Sequence, residues 1–182
     1  MNTAQPITDM KLIKDVMEVY KKGSKQYLLL YYALHTGLRI SDILKANVKD
    51  SLKGIWKDRE EKTNKEKSVP LNPKLQLLIR DYVEAKQLQE GDYLFYSNKN
   101  RGKPISRVQA HRIVAHAGDM VGITLSCHSL RKTFGYNAYK SGTDLAMLQY
   151  IFNHSSQAVT LRYIGVTQDE ANKVILSLNL GI

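Results

Sequence analysis

The chain has 182 residues, 43% hydrophobic and 24% charged, the size and balance of one globular domain around a single core. Its net charge of +10 favours a polyanionic partner, while no apolar run approaches the ~18 residues of a membrane span. MNTAQPITDMK lacks the basic start and apolar core of a signal peptide, and the single cysteine, Cys127, excludes a disulfide within this chain and a cysteine-built zinc site; a cytoplasmic location is expected.

From Thr8 or Asp9, the residues Leu12, Ile13, Val16, Met17 and Tyr20 recur at helical spacing, with Gly23 as a natural stop. A second helix runs from about Ser24 through YLLLYYALHT to Gly37 and is apolar almost all round, which implies burial at the centre of the core. Arg39 comes directly after it, held by rigid surroundings and therefore able to be aimed. It can serve as a ligand for an anion, as the ion-pair partner of Asp42 three residues on, or as both at once. After a short helix over 40–45, the alternation in GIWKDRE and EKSVP, with Thr63 and Asn64 between, predicts a β-hairpin whose tip carries Lys62 and Lys65. Most lysines at such tips only keep a protein soluble.

Asn72 and Pro73 open another helix, LQLLIRDYVEA, of structural character. A short apolar segment, DYLFYS, then leads into a basic loop. From Lys99 to Arg112 there are five cations (Lys99, Arg101, Lys103, Arg107, Arg112) and no acid. No strong apolar face accompanies them, so they suit phosphate backbones better than a membrane. Ser106 should cap a helix to about Val121, with Val108, Ile113, Val114 and Met120 mostly inward and Arg107 and Arg112 free to meet DNA. His111 and His116, five apart on it, are poorly spaced for a shared metal.

The stretch from His128 to Tyr163 carries the chemistry. His128 and Arg131 stand on one face at the start of a helix, His154 follows the helical run TDLAMLQYIFNH, and Tyr163 comes nine residues later. A guanidinium can grip two phosphate oxygens, an imidazole can donate to a third or move a proton, and a phenol can attack. Singly, each has a plainer reading: a helix-start histidine, a surface cation, a capping imidazole, one packing tyrosine among 11. Cys127 beside His128 suggests a Cys/His pair, but adjacent helical residues point apart and cysteine is usually a small buried hydrophobe. VTQDEANKVILSLNLGI ends the chain as an amphipathic helix with Val174, Ile175 and Leu178 on one side.

HSLR, NH and the tyrosine nine residues on resemble the catalytic box of the tyrosine recombinases, or phage integrases, which share their chemistry with type IB topoisomerases. ALHTGLRIS around Arg39 is similar to the family's first-arginine motif, and EKTNKEKSVPLN to its lysine-bearing hairpin, with Lys62 eight residues before Pro70. The resemblance spans Ala33 to Gly165. It implies a mainly α fold with a small antiparallel β-hairpin (α+β); family members usually carry an N-terminal core-binding domain, and with only about thirty residues before the first arginine motif the expectation here is a single catalytic domain over 1–182 without it. It also implies the catalytic set Arg39, Lys62, His128, Arg131, His154 and Tyr163. In that reading the arginines and His154 hold the phosphate, His128 takes the phenolic proton, and Lys62, with Lys65 in reserve, protonates the leaving 5′ oxygen. The DNA contacts would be Lys65, Lys99, Arg101, Lys103, Arg107, Arg112 and Lys132. The expected function is strand cleavage and rejoining through a 3′-phosphotyrosine, with double-stranded DNA as partner and neither cofactor nor metal. A homo-tetramer on DNA is expected, assembled through the C-terminal helix unless that helix folds back on its own domain.

Two local departures from the family pattern are Asn153, where glycine is usual, and Gly165, where histidine is common. Two other activities stay open: nicking and resealing in the manner of a type IB topoisomerase, or a DNA-binding module without catalysis.

Overall fold

A computed structural model describes residues 4–59, 66–166, 172 and 175–177. The chain runs α1 (Met10–Glu18), α2 (Lys25–Thr36), α3 (Ile40–Ile43), α4 (Val48–Leu52), β1 (Ile55–Arg59), β2 (Glu66–Pro70), α5 (Pro73–Lys86), β3 (Tyr96–Ser97), β4 (Asn100–Pro104), α6 (Arg107–Met120), α7 (Cys127–Lys140), α8 (Leu145–Phe152) and α9 (Gln157–Ile164). The mainly α architecture with small antiparallel sheets is the expected one. Among the described residues no helix is long and apolar enough to cross a membrane.

Helix starts follow from local chemistry. Asp9, Ser24, Asn72, Ser106, Ser126, Asp144 and Ser156 each accept a backbone N–H from the first turn they precede, satisfying donors the helix cannot. α2 is the centre: every residue from Leu28 to Ala33 is buried, as its encircling apolar character requires. It ends at Gly37, in the left-handed region at φ 59°. A Cβ there would stand 2.4 Å from the Phe134 ring, so only glycine lets α7 pack against the end of α2. A second apolar cluster, Leu148, Phe152 and Ile164, joins α8 and α9 to Phe134 and Tyr163. Gly135 permits that contact too, because a Cβ would meet the Phe152 ring at 2.6 Å.

β1 and β2 form the expected hairpin in a register running from Ile55↔Pro70 to Arg59↔Glu66. Its tip, with Lys62 and Lys65, lies outside the described residues. The buried Trp56 donates its indole N–H to the Asp42 carbonyl at 2.8 Å, tying the hairpin to the helix that follows Arg39. At the other terminus, Ile7 N–H donates to Thr133 Oγ1 at 2.8 Å and Lys132 Nζ to the Ala4 carbonyl at 2.6 Å, which lays the N-terminal segment along α7.

Three expectations need correction, and one element was unforeseen. α1 stops at Glu18, before Gly23, and α4 is a helical turn that the polar sequence VKDSL concealed. The basic segment is no loop, since β4 pairs with β3. Val108 and Met120 are 59% and 63% exposed; α6 packs instead through Ala110, Val114 and Ala117, a stripe at helical spacing whose small side chains let it approach closely. The C-terminal stretch expected to be an amphipathic helix lies mostly outside the described residues.

Candidate active site

Arg131 is buried, with 5% exposure. Its Nη1 donates to the Gly37 carbonyl and its Nη2 to the Phe152 carbonyl at 3.2 Å, while the guanidinium stands 4.6 Å over the Phe152 ring. Those carbonyls belong to the C-terminal ends of α2 and α8, where orphan acceptors and the negative end of the helix dipole collect. The guanidinium is thus hydrogen-bonded by two helix ends rather than by a carboxylate. Burial, the largest effect, lowers its pKa and Arg39 adds to this; Tyr163 and Asp42 oppose them. Two of five N–H donors serve the carbonyls, which leaves the remainder for Tyr163 or an anion.

Arg39 caps α3 from its β-region backbone and is exposed. Among the described residues no ion pair joins it to Asp42, whose carboxylate accepts only a long 3.5 Å bond from Ser41. The guanidinium is therefore not committed to that neighbour.

His154 follows α8 across Asn153, a left-handed C-cap at φ 53°. Asparagine tolerates that conformation better than other non-glycine residues, so its replacement of glycine keeps the turn. The His154 Nδ1 lies 3.1 Å from Thr160 Oγ1, and the fully buried Thr160 hydroxyl donates to the Ser156 carbonyl at 3.2 Å. A hydroxyl has one proton, so the chain reads Nδ1–H to Oγ1–H to O=C, and a neutral ring keeps its lone pair on Nε2. Burial, then Arg131 and Arg39, hold the His154 pKa below the usual value.

The Tyr163 ring is 4.9 Å from the His154 ring and 5.4 Å from Phe152, with Lys132 Nζ 5.3 Å from its centre. Its hydroxyl is shielded from solvent and has no partner of full hydrogen-bond geometry. It nonetheless lies beside Arg131. Burial pushes the phenol pKa up, and the charges and hydrogen-bonding reach of Arg131, with Arg39, pull against it.

Arg39, Arg131, His154 and Tyr163 are thus brought within electrostatic reach of one another. His128 is exposed on the first turn of α7, three residues before Arg131. Cys127 is a half-buried thiol pushed up to about 11 by burial, unsuited to attack. No group of three or more His, Cys, Asp or Glu converges among the described residues. Of the expected DNA contacts, Lys99, Lys103, Arg107 and Arg112 are exposed. Arg101 donates to the Lys86 and Gln87 carbonyls at 3.3 and 3.2 Å, closing the end of α5, and Lys132 is occupied by Ala4. The sequence reading missed Thr160. Its place three residues before Tyr163 on α9 was the available signal, since residues three apart share a helix face.

Residues 8–170 match the profile of the phage integrase family. The chain belongs to that family. With membership comes the chemistry the motifs pointed to, DNA strand breakage and rejoining. A relative in Bacillus subtilis strain 168, the probable integrase/recombinase YoeC, is 40% identical over 173 residues, covering 93% of each chain. The crystal structure of XerA recombinase superposes with TM-score 0.76 at 21% identity, over 97% of this chain and 64% of that one. XerH site-specific recombinase, bound to palindromic difH substrate, gives TM-score 0.72 at 18% identity, over 96% of this chain and 52% of that one. At those identities the two structures establish the fold. The present chain spans about half to two thirds of their length.

Proposed function

We propose that residues 1–182 form the catalytic domain of a site-specific recombinase that cuts and rejoins duplex DNA through a covalent 3′-phosphotyrosine on Tyr163. The observation that carries this reading is the phenol of Tyr163 lying against an arginine anchored on two helix ends, with Arg39 and His154 within electrostatic reach. Arg39 and Arg131 hold the two non-bridging oxygens of the scissile phosphate. Tyr163 Oη attacks phosphorus in line as the bond to the 5′ oxygen breaks. His128 accepts the phenolic proton and Lys62, with Lys65 as reserve, supplies one to the 5′ oxygen. His154 donates from Nε2; because Nδ1–H is committed to Thr160, it must do so as imidazolium, and an arriving phosphate favours that form.

The partner is double-stranded DNA, gripped by the exposed Lys99, Lys103, Arg107 and Arg112. XerH is a recombinase with its DNA substrate bound, which supports the same partner here. Assembly as a homo-tetramer on DNA is supported by α8, which exposes Met147, Tyr150 and Ile151, Tyr150 at 83%. Such an apolar face on a monomer suits a neighbouring subunit.

The test is incubation in EDTA with a nicked suicide duplex carrying a candidate site, then a denaturing gel and peptide mapping. An adduct on Tyr163 that vanishes in Tyr163→Phe supports the proposal. Salt-sensitive DNA binding without an adduct on any related site would replace it with a binding module.

A further inference from the structure

A second concave site lies at the other end of α2. Lys25 from α2, Lys86 from α5, Lys99 from the β3–β4 turn and Arg112 from α6 line a recess of about 750 Å³, together with Tyr96 and Gln109. No carboxylate lines it. Among the described residues no acid pairs with any of the four cations. Lys25 is not a loose surface lysine. Its Nζ donates to the Tyr96 carbonyl at 2.6 Å and to Asn98 Oδ1 at 3.0 Å, and stands 3.8 Å over the Tyr96 ring. An ammonium has three donors, so one remains to spend. Burial and the charge of Lys86 both work against protonation of Lys25. Like charges gathered in a concavity focus a positive potential that an anion would neutralise.

The recess is separate from the active site. Lys25 is the first of the twelve residues of α2, so eleven helical steps separate it from Thr36, just before the turn that carries Arg39. At 1.5 Å per residue that is ~17 Å, or about five base pairs of B-form DNA. Lys99 and Arg112 belong to the basic strip already assigned to DNA, which makes the recess continuous with that face.

We infer that this recess is a phosphate-binding site, and that its occupant is a backbone phosphate of the bound duplex about five base pairs from the scissile one. The inference rests on the DNA-cleaving reading. Lys25 and Lys86 thereby join the DNA contacts, although they lie far from the basic strip in sequence. Lys25 is fixed in place before DNA arrives, and α6 adds Arg112 to the lining.

Equilibrium DNA binding is measured against salt for the parent, Lys25→Gln and Lys86→Gln, on a long duplex and on duplexes trimmed from either end to about three base pairs from the cleavage site. Loss of one phosphate contact lowers the slope of log K against log salt by about 0.9. Each variant is expected to lose that slope on the long duplex and on one trimmed duplex, but not on the duplex trimmed on the recess side. Adduct formation on Tyr163 should fall at limiting protein and recover as protein saturates the duplex. Equal loss on every duplex, or none on any, overturns the inference. Calorimetric titration of DNA-free protein with pyrophosphate separates the two sources of phosphate. Binding there that Lys25→Gln abolishes, with the DNA slope intact, assigns the recess to a free anion and overturns the duplex reading. If the parent forms no adduct but the slope changes persist, the catalytic reading fails while the recess stands.

Discussion

Arg131 shows how one residue can be both core and chemistry. Its guanidinium needs a planar fork to reach the Gly37 and Phe152 carbonyls together, and lysine has no such geometry. Arg131→Lys should therefore lower single-turnover adduct formation by about 10²-fold or more, with DNA affinity changed much less. Thr160 acts through His154. In the DNA complex, cleavage should decline as pH rises through the His154 pKa, because Nε2 has a proton to donate only in the imidazolium. The charged or titratable groups facing that ring are Arg131, Arg39 and Tyr163. Thr160→Val releases Nδ1, so a neutral ring can carry its proton on Nε2 and the alkaline decline should flatten. Nitrogen NMR of the ring reads that tautomer directly; an unchanged Nδ1–H signal in the variant would refute the relay. Folding is linked to the same proton in the opposite sense. With its folded pKa depressed, His154 takes up its proton more readily in the unfolded chain. Its share of stability is present above the unfolded value of ~6.5 and is lost as pH falls below it.

At the scale of elements, the site depends on how closely helices approach. Gly135 brings α7 against α8 and α9, the elements carrying His154 and Tyr163. Gly135→Ala puts a methyl where the Phe152 ring and Ile164 already stand. It should cost ~1–3 kcal/mol, read as a lower denaturation midpoint, and should depress adduct formation because both side chains proposed as catalytic move with their helices. The hairpin is joined to the first arginine in a comparable way. Trp56→Phe keeps the ring but removes the donor to the Asp42 carbonyl, so ~1 kcal/mol of stability should be lost, again visible in the midpoint. These elements were legible because caps and apolar stripes act within a turn or two. Serine before QYLLLYYALHT, glycine after it and proline after Asn72 mark helix ends wherever they occur. α4 was not legible, since VKDSL has too few apolar positions to show a period. The inward assignment of Val108 and Met120 failed because hydrophobicity alone does not tell which side of α6 meets the core.

Across the whole molecule, two groups of cations stand apart from each other. The active-site cations and the Lys25 recess stand at opposite ends of the buried α2, which acts as a rigid spacer between two phosphates of one duplex. The exposed apolar face of α8 is the surface proposed above to meet a neighbouring subunit. Tyr150→Glu should leave binding of a single protomer to DNA intact while eliminating slower-migrating complexes in a gel shift; persistence of those complexes would remove α8 from the interface.

The order of Arg39, His128, Arg131, His154 and Tyr163, the helices that carry them and the affinity for a polyanion were all contained in the sequence, because each rests on local spacing, capping or summed charge. What anchors those groups was decided by tertiary structure. Arg131 meets a carbonyl 94 residues away, and Lys25 one 71 residues away. Backbone acceptors carry no side-chain signature, so nothing in the letters marks Gly37 or Tyr96 as a cation's partner. Only packing, which brings the ends of α2 against α7 and β3, makes them so.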